Sequence, residues 1–304
     1  MPIKSELHCH NLFSNFHLGD EEPPYDCNVT IREQLERANE LGISALFVTN
    51  HNTLDGYSQM LQYKNDHYKF KNIQVYPAEE VTTDTGAHVL TYGIHKEIPP
   101  TLSLEEIIDE VKKQNGISSA PHPFSLVDAL RDKAKNCDMI EVFNSNNIDM
   151  ISNVKASQFA IDNNMTQVSG SDSHIISTLG RCVNVIDSEN SLDDILSAMR
   201  NKKIKILNTG YTLPDETLEH LKFKINNSKE YIFNYVREHH PNTLWLFSFL
   251  YRMYNIDQDS YLWTMVYKFC LYFLKRISHK INYQNIDSNF MNERNPWNIF
   301  KKAL

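Results

Sequence analysis

Residues 30–51 read TIREQLERANELGISALFVTNH, and this one stretch holds a helix, its stop, a strand and a histidine. Thr30 with Glu33 three residues later is a capping box, in which two side chains satisfy the free N–H groups of a first helical turn. Leu35, Ala38 and Leu41 then recur at helical spacing. Gly42 ends the run, because glycine enters left-handed backbone without a steric cost. The spacing predicts a helix over Ile31–Leu41. A short apolar run, Ser44–Thr49, follows at strand length, and His51 stands just past its end.

The same alternation recurs on both sides. Strand-like runs are Ile3–His8, Ile73–Pro77, His88–Gly93, Gly116–Ala120, Met139–Phe143, Thr166–Gly170 and Cys182–Ile186. Helix-like segments are Leu104–Gln114, with a second capping box at Ser103 and Glu106, then Ile151–Asn163 and Ser191–Asn201. Strands separated by helices of this length read as βαβ units. So many units in the first 212 residues fit a closed α/β barrel better than an open sheet.

Beyond Leu213 the character changes. No glycine follows Gly210, and aromatic residues become dense. The net charge of −8 divides into −14 over residues 1–221 and +6 over residues 222–304. We therefore expect a barrel over residues 1–212 and a helical, aromatic-rich, basic extension over residues 213–304. Tyr261–Ile281, apolar in its first half and basic in its second, suits a helix packed on the barrel. It also suits a peripheral helix on a membrane surface, or a groove for nucleic acid.

Other classes are excluded or disfavoured. No run approaches the roughly 20 apolar residues that span a bilayer, and no apolar signal segment opens the chain, so the expected location is cytoplasmic. Cys9, Cys27, Cys137, Cys182 and Cys270 are scattered and form no C-x-x-C pair. That argues against a disulfide framework and against a thiolate zinc site.

Histidines and carboxylates instead collect where predicted strands end, the side on which α/β barrels build their sites. His8 and His10 close the first strand and project to one side, while Cys9 points away. His51, Glu79, Glu80, His88, His122, Asp172 and His174 follow at or beside later strand ends. Imidazole with carboxylate and no thiolate suits Zn, Mn or Fe. This many ligands suits two or three divalent ions.

At this point the chain resembles a known family. Glu6-Leu7-His8-Cys9-His10, Val48-Thr49-Asn50-His51-Asn52-Thr53, Pro77-Ala78-Glu79-Glu80-Val81, Ala120-Pro121-His122-Pro123 and Gly170-Ser171-Asp172-Ser173-His174 follow the order of the motifs of the PHP (polymerase and histidinol phosphatase) superfamily, over roughly residues 1–210. The resemblance implies a distorted (β/α)7 TIM-like barrel that holds up to three divalent ions and hydrolyses phosphoesters. Carried over by motif, His8, His10, Glu80 and Asp172 would hold the first ion. Glu80 would bridge to a second with His88 and His122, and His51 and His174 would hold a third. Two positions depart from the pattern: Asn50 stands where members carry Asp, and Asn15 and Phe16 stand where members place a further Asp or His. His17 or Asp20 is the expected substitute.

The chemistry so implied is a metal-bridging hydroxide attacking phosphorus, with Asp172 or His174 relaying protons. Arg181 is expected either to grip a phosphate at the mouth or to form a surface ion pair. Asn144, at another strand end, serves the scaffold or the substrate. The expected substrate is a small nucleotide or sugar-phosphate monoester. A nuclease acting on DNA or RNA, and a non-catalytic metal-binding module, are the alternatives.

Overall fold

The computed structural model describes residues 2–19, 22–292 and 295–303. In chain order, β1 (Ile3–Glu6), α1 (Ile31–Leu41), β2 (Ala45–His51), α2 (Tyr57–Asp66), β3 (Gln74–Thr82), β4 (His88–Tyr92) and α3 (Leu104–Lys113) come first. Then follow β5 (Ile117–Ala120), β6 (Met139–Asn144), α4 (Ile151–Asp162), β7 (Thr166–Gly170), β8 (Val183–Ile186), α5 (Leu192–Arg200) and β9 (Ile204–Asn208). These strands form one sheet in the order β7-β6-β5-β4-β3-β2-β1-β8-β9.

The sheet curls until its ends meet. Past β7, the Asp172 N–H donates to the His8 carbonyl at 2.7 Å, and the His10 N–H donates to the Ser173 carbonyl at 3.0 Å. Lower in the seam, the Asn184 side chain stands in for a strand edge. Its Oδ1 accepts the Ser169 N–H at 3.0 Å, and its Nδ2 donates to the Ser169 carbonyl at 2.7 Å. The result is the expected α/β, nearly closed barrel with a helical C-terminal region.

The strand pattern differs from a regular (β/α)7 alternation. β4 runs antiparallel to both β3 and β5, and β8 runs antiparallel to β1 and β9. The link from β3 to β4 is only residues 83–87, with Gly86 at φ 80°. A parallel return needs a crossover of a dozen residues or more, so this link can only make a hairpin.

Inside the barrel, Leu7, Phe47, Leu90, Tyr92 and Val168 are buried together. Ile195, Leu196 and Met199 of α5 join that cluster beside Ile3, Ala45 and Ile117, plugging the end where β1, β2 and β5 begin. All seven residues of β2 are buried, as expected for a strand covered on both faces. With one end plugged by apolar side chains, polar residues can gather only at the other.

The C-terminal helices are α6 (Pro214–Asn227), α7 (Lys229–His239), α8 (Leu244–Ile256), α9 (Tyr261–Gln284), α10 (Asn289–Asn292) and α11 (Pro296–Ala303). Ile277 and Ile281 of α9 pack with Met291, Ala303 and Leu126. Arg131 reaches across to Asn282 Oδ1 at 3.2 Å and Ser288 Oγ at 3.0 Å, tying α9 to the barrel.

Candidate metal centre

The open end of the barrel gathers imidazoles and carboxylates from six strand ends around Glu80. Glu80 is buried at the end of β3. Its Oε2 lies 3.4 Å from each of His8 Nε2, His10 Nε2 and His51 Nδ1. Its Oε1 lies 3.1 Å from each of His88 Nδ1 and His122 Nε2. The two oxygens of one carboxylate thus face two different sets of imidazoles. The neighbouring Glu79 points the other way, where its Oε1 accepts the Ile98 N–H at 2.8 Å.

Asp172 completes one side, its Oδ1 3.4 Å from His8 Nε2 and from His10 Nε2 and 3.6 Å from His174 Nδ1. Its backbone sits at φ 49° and that of His122 at φ 29°. Non-glycine residues held in left-handed backbone concentrate at functional sites.

The third grouping brings together the expected His51 and His174 with His10 and with Asp26, to which the sequence does not point. Asp26 Oδ2 lies 2.9 Å from His174 Nε2 and 3.6 Å from His51 Nε2, and His10 joins them. His17, the expected substitute, belongs to none of the ligand groups formed by the described residues; its backbone carbonyl accepts Asn52 Nδ2 at 2.7 Å instead. Asp20 lies outside the described residues. Asn15 at the departed position does not enter the cluster. Its Oδ1 accepts the N–H groups of Asp26 and Cys27, and so shapes the loop that carries Asp26 inward.

Three donor groups emerge, each with its atoms within 4.8 Å of one another: His8, His10 and Asp172; His51, Glu80 and His88; and His10, Asp26, His51 and His174. His10 and His51 are shared, so His51 faces two groups rather than the last alone. Ligands about 2.1 Å from one ion stand roughly 3.0–3.4 Å apart when their bonds open by about 90–110°. The separations around Glu80 match that range. Buried His10 Nε2 and His51 Nδ1 have no hydrogen-bond partner, an arrangement that costs free energy unless a cation takes those lone pairs. The residues fit divalent ions.

Outer contacts hold the rings. His8 Nδ1 lies 2.8 Å from Glu141 Oε1, and Glu141 Oε2 accepts the His122 N–H at 3.0 Å and Asn144 Nδ2 at 2.9 Å. Asn144 also reaches Asp172 Oδ2 at 3.3 Å, so it serves the scaffold. His10 Nδ1 lies 3.1 Å from Ser14 Oγ, which donates to Asn50 Oδ1. Such partners fix the tautomer and the aim of a ligating imidazole.

Burial alone would raise the Glu80 carboxyl, but His88 and His8 outweigh it and hold Glu80 well below the ordinary range. Asp172 is likewise depressed against its burial, chiefly by His8. Burial also opposes charge on His88, yet Glu80 lifts it to about 9. His51 goes the other way, because burial dominates and keeps it neutral.

Helix α6 overhangs the cleft. His220 stacks on His174 with ring centroids 4.8 Å apart and its Nε2 donates to the Asp26 carbonyl at 2.7 Å, while Lys224 Nζ lies 3.0 Å from Asp26 Oδ1. Neither residue follows a strand, which is why strand-end reasoning missed them. Of the two roles expected for Arg181, the structure shows the ion pair. Arg181 pairs with Glu216 and lines a separate surface groove with Glu33 and Glu36, not the cleft, because α6 presents a carboxylate to it first.

The comparisons accord with this geometry. A family model described as PHP-associated matches residues 150–204. An uncharacterized protein of Methanocaldococcus jannaschii is 30% identical over 162 residues, half of this chain and 87% of that protein. Among solved structures, PsfC from Pseudomonas syringae aligns with a TM-score of 0.54 at 16% identity, over 74% of this chain and 98% of its own. A two-domain protein from Bacteroides vulgatus, described as containing a predicted PHP-like metal-dependent phosphoesterase, aligns with a TM-score of 0.51 at 16% identity, over 75% of this chain and 70% of its own. At such identities the structural likeness is one of fold.

Proposed function

The chain belongs to the PHP superfamily, and from that premise we propose that it is a metal-dependent hydrolase of small phosphate monoesters, a nucleotide or a sugar phosphate. The observation that carries this reading is the Glu80 carboxylate, whose two oxygens face two separate sets of imidazoles. His8, His10, His51, Glu80, His88, His122, Asp172 and His174, with Asp26 in place of His17, would hold two or three divalent ions of zinc, manganese or iron. Ions in such a cluster bind phosphoryl oxygens, lower the pKa of water and neutralise developing charge.

The chain's own residues do the rest. Glu141 and Ser14 aim His8 and His10. Asp172 and His174 stand at the cleft as the groups to carry a proton. Lys224 supplies the cation that Arg181 does not, and its ammonium suits a phosphate oxygen as a point charge. Substrate size follows from α6, which leaves a cavity of only about 170 Å³ over the cluster. That volume favours a compact monoester over a nucleic-acid strand.

Residues 1–212 carry the chemistry in this reading, and the segment from 213 onward walls the cleft. A cytoplasmic setting suits five unpaired cysteines, four of them buried. The test is a substrate panel with the metal-loaded chain. Turnover of sugar phosphates or nucleoside monophosphates supports the proposal. Cleavage of single-stranded DNA or RNA without monoester turnover replaces it with a nuclease, and metal binding with neither activity replaces it with a non-catalytic module.

A further inference from the structure

Away from the metal cleft, helices α6, α8 and α9 surround a second cavity of about 460 Å³. Phe247, Tyr251, Trp263, Tyr267 and Leu274 line it, and Leu250, Val266 and Cys270 at its edge are exposed. On the faces opposite those that line it, α8 and α9 leave large apolar side chains in solvent. On α9, Tyr261, Met265, Phe269 and Tyr272 are exposed at spacings of four, four and three, which puts them on one stripe. On α8, Trp245 at 71%, Phe249 at 55% and Ile256 at 84% exposure form another. Both stripes point away from the cavity, and the longer one, on α9, is exposed apolar surface of the kind that marks an interaction site.

Charge identifies what covers it. α8 and α9 together contain Arg252, Lys268, Lys275, Arg276 and Lys280 and no Asp or Glu. Lys268 adjoins Phe269, and Arg276 continues the α9 stripe one turn beyond Tyr272. On α9 aromatic side chains are flanked by cations, and the nearest carboxylates, Asp257 and Asp259, lie in the turn before the helix begins. Such a helix fits the boundary between acyl chains and anionic headgroups. Among the described residues no helix is long and apolar enough to cross a membrane, so contact of this kind lies on the surface. Two copies meeting through this face would oppose cation to cation. Nucleic acid has no use for Met265 at the middle of that stripe.

We propose that the outer face of α9 docks this protein on an anionic lipid bilayer, with Tyr261, Met265, Phe269 and Tyr272 entering the headgroup boundary. The phosphoesterase reading is not needed for it. The probes are vesicles of phosphatidylcholine with and without phosphatidylserine, sedimented with the full chain. The chain pellets with phosphatidylserine vesicles, stays in solution with phosphatidylcholine alone, and is released by salt. Phe269→Ser with Met265→Ser, or Lys268→Glu with Lys275→Glu, weakens binding about tenfold or more with an unchanged melting temperature. Should those variants unfold, an environment-sensitive fluorophore on Tyr272→Cys, with the exposed cysteine removed by Cys270→Ser, must still report apolar surroundings with phosphatidylserine vesicles. Three results overturn the proposal: equal binding to both vesicle types or to neither, folded variants that bind as the parent does, or a dimer or oligonucleotide complex that Phe269→Ser abolishes while vesicles stay unbound.

Discussion

Asn15 shapes the loop that carries Asp26 toward His51 and His174: its Oδ1 accepts the Asp26 N–H at 2.7 Å and the Cys27 N–H at 2.9 Å, and its Nδ2 donates to the Cys27 carbonyl at 3.0 Å. An amide that bonds three backbone groups helps set the loop conformation, alongside His220 and Lys224, which hold Asp26 from α6. Asn15→Ala therefore loosens Asp26 and lowers occupancy at the Asp26–His51–His174 group, with activity falling roughly 10–100-fold, the usual effect of losing an outer partner. Asp26→Asn lowers the metal count further. Elemental analysis of both purified variants checks this, and full metal content in each would remove Asp26 from the site.

Gly170 adjoins the Glu141–His8 pair. A β-carbon there would overlap Glu141 Oε1 and the His8 side chain. Gly170→Ala should push the carboxylate away from His8 and weaken metal affinity about 10–100-fold, as measured by competition with a chelator.

Lys224 and Arg181 divide cleanly. Arg181→Ala should leave kcat and KM within about twofold, since the guanidinium is engaged by Glu216 outside the cleft. Lys224→Ala should raise KM for a phosphate monoester by about tenfold or more, the scale of a lost charged hydrogen bond. Steady-state kinetics on the two variants decide it.

Glu79 gives a pH signature in stability. Burial pushes its carboxyl from the ordinary 4.5 up to about 8, and its Oε2 has no hydrogen-bond partner. Between those values the folded chain keeps a proton that the unfolded chain has released. Stability from this group is thus fully present below about 4.5 and is lost as pH rises toward 8. Glu79→Gln, which cannot ionise, should melt a few degrees higher than the parent at pH 8 and show a smaller gain at pH 5. Calorimetry at both values checks the sign, and a gain independent of pH would show Glu79 to be unperturbed.

What the chain's own letters reveal depends on how local the cause is. The Thr30–Glu33 box and Gly42 at φ 66° define α1 at the bounds read from them, because caps act within one turn. α2 escaped notice because its N-cap is Gly56, without a side-chain bond. β9 escaped because its residues are half exposed and offer no apolar run. The strand-end histidines were legible for the same local reason: a strand fixes which way alternate side chains point. Asp26, His220 and Lys224 were not, since a loop and a C-terminal helix carry them in from positions that no periodicity connects to the barrel. The choice left open at Arg181 is settled by Glu216, a partner 35 residues away in sequence that no local pattern connects to it.

In the proposed function Glu80 joins two donor sets into one metal cluster that does the chemistry. Metal content and p-nitrophenyl phosphate turnover, measured together on the parent and on Glu80→Ala, test it most directly. The parent should carry at least two divalent ions per chain and lose turnover to a chelator, while Glu80→Ala should lose both the ions and at least about 100-fold in rate. A Glu80→Ala variant that keeps the parent's metal content and turnover would contradict the account.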